Sequence, residues 1–352
     1  MTSPHTRSIL AAFATQIGWC ESLGSPLTAQ VLAVIAEDIA SGGIAAPLVA
    51  DWPGDPLADA LALRFAGALH ALVLSQASPA LAACYPPHTA SQASLRAAVP
   101  AALETHAPFI KAFLASPPQT NEVGRSGVLL GGFGRIAQAA GLPLRLLEIG
   151  ASAGLNAVWD RYRYRLGEAE WGDPASPVLL APAWSGPAPQ LGAPLKVAAR
   201  AACDIAPVDL DDPEARLRLR AFVWADQSER LARLEAAIAV ARSADVKVEQ
   251  ADAGDWLEAQ LRRPSPGCVT VLYHSIMWSY LPAATQGRID TLMQAHGAEA
   301  NDASPLAWLR FEGAQPKARP ELRLTLWPGG REERLAVAHP HGAEVEWLAQ
   351  TG

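Results

Sequence analysis

Along the first third of the chain, apolar side chains recur every three to four positions over residues 8–22, 27–39, 56–75 and 91–115, and no stretch alternates in the manner of a strand. Pro47, Pro53, Pro79, Pro86, Pro87 and Pro117 fall between these segments, where proline ends helices. Another helix over 126–140 is expected to stop at Gly141, with Pro143 beyond it. The pattern then changes. Residues 145–149 form a short apolar run ending at Gly150, a strand, and residues 155–164 resume helical character, so that strand, small-residue turn and helix follow in order. Residues 170–195, rich in Pro, Gly, Ala and Trp without a period, read as an irregular excursion or short hairpin. Further strands are expected at 196–203, 246–250, 268–273, 306–311, 322–327 and 334–338, with helices at 213–222 behind a capping Asp212 and at 228–242. Strands alternating with helices predict a parallel sheet, and the last three strands lie too close together for crossovers, so they predict an antiparallel meander at one edge. The chain therefore reads as α/β, with an α-helical subdomain over 1–118 and a sheet domain over 119–352 carrying an irregular insertion at 170–195.

Composition narrows the classes. Of the 352 residues, half are hydrophobic and 18% are charged, enough apolar surface for a large core. The net charge of −7 is scattered, and without a basic run duplex nucleic acid is not an expected partner; Arg161, Arg163 and Arg165 are the local set that would suit RNA. Cys20, Cys84, Cys203 and Cys268 lie too far apart for a Cys-x-x-Cys zinc or redox pair. His339 and His341 would leave a metal short of ligands, so none is expected. The first residues lack a basic segment feeding a long apolar run, and no window approaches the ~20 apolar residues of a membrane span. A cytoplasmic protein that does not cross a membrane is the expectation, with no oligomeric state implied.

The chemistry centres on the turn after the first strand. A strand followed by Gly150-x-x-x-Gly154 and a helix places backbone N–H groups beside a ligand, and the missing side chains allow close approach. Glu148, Gly150, Ala151, Ser152, Gly154 and Asn156 are the candidate cofactor contacts there. Asp204, with Asp209 as alternative, ends the second strand, where an acid accepts hydrogen bonds from ribose hydroxyls. Asp252 and Ala253 follow the third strand and suit a base pocket. His274 leaves the fourth, where ligands of α/β sheets bind, and is the acid–base candidate near the substrate. Asn121 and Glu122, with Arg125, precede the helix leading into the glycine strand; they form either a catalytic lid over the pocket or a helix cap. Trp224, Asp226 and Gln227 line the pocket or begin a helix. The same five residues Gly150-Ala-Ser-Ala-Gly154 also spell a nucleophile elbow, with Ser152 as the nucleophile of an α/β-type serine hydrolase and Asp302 with His339 or His341 in the right order downstream.

Several of these motifs stand together: Gln119-Thr-Asn-Glu-Val-Gly-Arg125, Leu147-Glu-Ile-Gly-Ala-Ser-Ala-Gly-Leu-Asn156, Asp160-Arg-Tyr-Arg-Tyr164, Cys203-Asp-Ile-Ala-Pro-Val-Asp209, Val223-Trp-Ala-Asp-Gln-Ser-Glu-Arg230, and His274-Ser275 with Tyr280-Leu-Pro282. With them the chain resembles a family of uncharacterised bacterial proteins, domain of unknown function 2332, itself similar to class I S-adenosylmethionine-dependent methyltransferases. The resemblance implies a Rossmann-like methyltransferase sheet, S-adenosylmethionine as cofactor and methyl transfer to an unknown small-molecule acceptor. No Asn-Pro-Pro-Tyr type tetrapeptide follows the fourth strand, so oxygen or carboxyl acceptors are favoured over amino groups of nucleic-acid bases. Hydrolysis through Ser152 and noncatalytic binding of S-adenosylmethionine or another nucleotide are the alternatives.

Overall fold

The computed structural model describes residues 3–89, 91–244, 246–313 and 318–349; the outermost ends of the two expected domains, residues 1–2 and 350–352, lie outside them. The chain divides into two compact units, Met1–Thr120 with Asp211–Ala232, and Asn121–Leu210 with Arg233–Gly352.

In the first unit the helices Pro4–Ser22, Pro26–Ser41, Leu61–Leu74, Gln92–Thr105 and Ala107–Leu114 bury the expected apolar stripes around Phe13, Leu32, Phe65, Leu69 and Phe113. Two expected helices are shorter or split. Residues 56–60 form turns because Ala60 takes the left-handed conformation at φ +53, and the segment 91–115 breaks at His106, two residues before Pro108, whose ring excludes a continuous helix. The segment 211–232, which sequence order groups with the sheet, folds here. Arg218 lies 4.0 Å from the Phe113 ring centre and donates to the Phe113 carbonyl (2.9 Å), and Phe222 joins the same core. Asp226 accepts from the Leu27 N–H (2.8 Å) and from the hydroxyls of Ser25 and Thr28, so it caps the helix Pro26–Ser41 and is not a pocket residue. Trp224 packs half-buried against this core.

The described residues of the second unit form twelve strands: β1 Leu144–Ile149, β2 Arg163–Leu166, β3 Ala169–Gly172, β4 Leu179–Leu180, β5 Ala183–Ser185, β6 Val197–Asp204, β7 Val248–Gln250, β8 Val269–Ser275, β9 Leu306–Glu312, β10 Glu321–Trp327, β11 Arg331–Ala338 and β12 Glu344–Trp347. Nine make one mixed sheet in the order β5-β12-β11-β10-β9-β8-β1-β6-β7. From β7 to β9 all neighbours are parallel, and β9 to β12 form the antiparallel meander that the short spacings require. β1 and β8 are covered on both faces, as near-continuous apolar runs demand. One face carries the helices Ala253–Leu261 and Ala283–Glu299 over Leu147, Ile149, Leu272, Trp308 and Trp327. The helix Ser126–Ala140 lies on the other, where a Cβ on Gly132 would stand 2.5 Å from Leu309.

The expected helix after the glycine turn is absent. A six-residue 3-10 turn, Asn156–Arg161, loses helical dihedrals at Val158 and gives way to β2, which pairs with β3 and β4 in a small separate sheet. The reason is legible in the burial: Tyr162, Tyr164 and Leu166 are buried while Arg161 and Arg165 are exposed, an alternation that only a strand accommodates. The insertion therefore begins at 163, earlier than the sequence suggests, and its last strand, β5, returns to the main sheet beside β12.

On the helix Ala283–Glu299, a Cβ at Gly297 would stand 2.5 Å from the Trp327 ring, which is buried and has no room to retreat. Gly297→Val is expected to lower stability by about 1–3 kcal/mol through overpacking, read as a lower urea midpoint at constant slope; an unchanged midpoint contradicts the packing described.

Candidate functional site

Strand order reverses between β1 and β8: from β1 the chain moves to β6 and β7 on one side, then to β8 and β9 on the other. Such a reversal leaves a crevice at the carboxyl ends of the strands, the place where open α/β sheets take ligands. Most residues singled out from sequence lie there. Gly150 (φ +66) and Gly154 (φ +72) turn the chain through left-handed conformations, and Ser152 does the same at φ +53, which non-glycine residues seldom adopt. Ala151 donates its N–H to the Cys203 carbonyl (3.0 Å) and Ser152 donates its N–H to Asp204 Oδ2 (2.8 Å). Asp204 also accepts from the Ala206 N–H (2.9 Å), so this acid fixes the glycine turn against the end of β6. The exposed Asp209 follows in the next loop.

The segment before the helix Ser126–Ala140 braces the same turn. Asn121 accepts the Leu155 N–H (2.8 Å), and Asn156 donates to the Glu122 carbonyl (3.3 Å) while accepting from the Ser126 hydroxyl (2.6 Å). The Glu122 carboxylate caps its own 3-10 turn at the Gly124 N–H (3.0 Å), with Arg233 at 3.8 Å. Asn121 and Glu122 are therefore braces and a cap. Asp252 caps the helix Ala253–Leu261 through the N–H groups of Gly254 (2.8 Å) and Asp255 (3.1 Å), and Ala253 is buried in the core beneath the sheet.

His274 lies in the interior of the second unit. It has no exposed surface; its Nε2 accepts from the Trp308 indole N–H (3.1 Å), its Nδ1 faces Glu312 Oε1 at 2.7 Å, and Trp278 stacks on the ring at 5.0 Å. Because an indole N–H only donates, Nε2 presents its lone pair and the proton sits on Nδ1 toward Glu312. Both ring nitrogens are thus engaged within the protein. Its partner Glu312 also accepts the N–H groups of Met277 (3.1 Å) and Trp278 (3.3 Å), and so shapes the exit of β8. Glu312 was not singled out from sequence; an acid closing the apolar run of β9 is the signal that marks it.

For the hydrolase reading, the Ser152 Oγ is buried and has no hydrogen-bond partner, a 3-10 turn and not an α-helix follows the glycine turn, and Asp302 precedes β9, at the opposite end of strands that run about 20 Å. Among the described residues no three His, Cys, Asp or Glu side chains group to hold a metal, and no helix is long and apolar enough to cross a membrane.

The chain belongs to the family described as uncharacterized protein conserved in bacteria (DUF2332). The family model matches residues 10–347. No curated protein and no solved structure matches the chain.

In this DUF2332 chain the chemical anomaly of the site is Glu148. Its carboxyl is buried at the end of β1, accepts the Tyr273 hydroxyl (3.0 Å), and is pushed up to about 8 chiefly by burial, with the Asp204 charge adding to the rise and the Tyr273 bond and Arg125 opposing it. Tyr273 also reaches the Asn156 carbonyl (3.4 Å), which links Glu148 to the braces of the glycine turn. A carboxyl perturbed by burial at a strand exit makes Glu148 a candidate functional group.

The folded chain therefore holds a proton that the unfolded chain loses from the ordinary value of 4.5 upward, so this group's effect is to lower stability as pH rises from 4.5 to about 8 and to level off above. Glu148→Gln is expected to match the wild type near pH 4.5 and to become increasingly the more stable of the two toward pH 8, by denaturant unfolding at several pH values. Parallel profiles would contradict a protonated Glu148.

Proposed function

We propose that the protein is an S-adenosylmethionine-dependent methyltransferase acting on a small-molecule acceptor, with the cofactor on the turn Gly150–Gly154. The observation that carries this reading is the electrostatic character of the turn. It is flanked by two carboxyl groups, Glu148 and Asp204, and no α-helix begins behind it. A dinucleotide site sets its phosphates on a helix N-terminus; this turn lacks that positive end, and phosphate would meet acids. A phosphate-free nucleoside with a cationic sulfonium suits it better. The missing side chain at Gly150 and the unpartnered Ser152 Oγ fit a ligand held close to the backbone.

When bound, the cofactor supplies an electrophilic methyl group. The residues that would hold it are Gly150, Ala151 and Ser152 along its chain, Glu148 toward its positive charge, Asp204 toward the ribose hydroxyls and Asp252 toward the base. With His274 locked in its hydrogen bonds, catalysis rests on holding donor and acceptor in line and excluding water.

Calorimetric titration with S-adenosylmethionine, S-adenosylhomocysteine, NAD and ATP tests this. Micromolar binding of the two phosphate-free ligands and none of the others is expected, with Asp204→Asn, which keeps an oxygen to accept the Ser152 N–H, weakening it by about tenfold or more, or about 1.4 kcal/mol. Binding of the phosphate-bearing ligands alone would overturn the cationic reading. Ester hydrolysis abolished by Ser152→Ala would restore the hydrolase.

A further inference from the structure

The exit of β8 carries a second unusual backbone. Ile276 sits at φ +51, a left-handed conformation that β-branched residues almost never take. Such residues persist only where their surroundings over-determine them, and they gather at ligand clamps and switches. The surroundings here are identifiable. The Ile276 N–H donates to the Phe311 carbonyl (2.9 Å), Arg125 donates to the Ser275 carbonyl (3.0 Å), and Glu312 accepts from Met277 and Trp278 while its other contact, His274, is fixed by Trp308.

What this arrangement sets is the place of Met277. Its side chain lies over the glycine turn: a Cβ on Gly150 would stand 2.7 Å from both its Cγ and its Cε. An unbranched thioether thus fills the approach that the absent side chain of Gly150 opens. Met277 is only partly buried, and with three rotatable bonds it can leave this position without a move of the sheet.

We infer that Met277 is the gate of the ligand site: the segment 276–278 holds its thioether over Gly150, and a ligand lying on the turn displaces it. The inference rests on the proposed placement of S-adenosylmethionine, whose own methionyl chain has the size and chemistry of the side chain it replaces. Two such chains cannot share the space above Gly150. The site is competent only when Met277 is away, and the observed affinity is reduced by the fraction of time it covers the turn.

Titration of wild type, Met277→Ala and Met277→Leu with S-adenosylhomocysteine separates the possibilities. A gate predicts about tenfold tighter binding by Met277→Ala and near wild-type affinity for Met277→Leu, which keeps the cover. A methionine that merely contacts the ligand predicts weaker binding on truncation, and that result overturns the gate. Equal affinity in wild type and Met277→Ala overturns it too while leaving the cofactor reading in place, whereas no binding by any of the three removes the cofactor reading and the gate together.

Discussion

Placing β1 inside a nine-stranded sheet, third from the β7 edge, leaves amide groups and a carboxyl at its exit that no strand ladder can satisfy, and the protein satisfies them from other elements. Asp204 at the end of β6 takes the Ser152 N–H, Asn121 from the preceding helical segment takes the Leu155 N–H, and Tyr273 on β8 reaches Glu148. A buried polar group without a partner costs about 1–3 kcal/mol, so these bonds define which conformation the turn can hold. The rest of the site is arranged around that fixed turn. Asn156 ties it to Ser126 and Glu122, and the β8 exit lies across it.

The same constraint sets the electrostatics. The turn is held by acids and amides and is not followed by a helix, so the crevice lacks the positive end that makes similar turns phosphate sites. Glu148, desolvated and near the Asp204 charge, keeps its proton well above the ordinary carboxylate range. A cation arriving beside it would reverse that preference, which ties ligand charge to the protonation of the site. On the opposite face of β8 from Tyr273 lies the His274–Glu312 pair. It holds the strained segment at Ile276 and thereby the side chain that covers Gly150.

Much of this was legible in the sequence because it depended on local pattern. The apolar run before Gly150, the two glycines, the acid closing β6 and the short spacing of the last strands each carried a mechanism, and each led to the element observed. The reading failed where tertiary partners decide. Residues 161–166 alternate Arg with Tyr, Tyr and Leu, a strand pattern that was outweighed by the expectation of a helix after a glycine turn. Asp226 and the helix Pro213–Ala221 follow a sheet strand in sequence yet fold with the helical unit, through Phe113, Leu27 and Ser25. His274 was read from its place at a strand exit, but its role is set by Trp308 and Glu312, which reach it only through the β8–β9 pairing. The gate at Met277 was invisible for the same reason, since it depends on the backbone of Ile276.

A crystal structure of the protein grown with saturating S-adenosylhomocysteine tests the central claim most directly. Ligand density along Gly150 to Ser152, with the adenosine toward Asp204 and the Met277 side chain moved off Gly150, is the predicted result. Density at another place, with the thioether of Met277 still over the glycine turn, would contradict it.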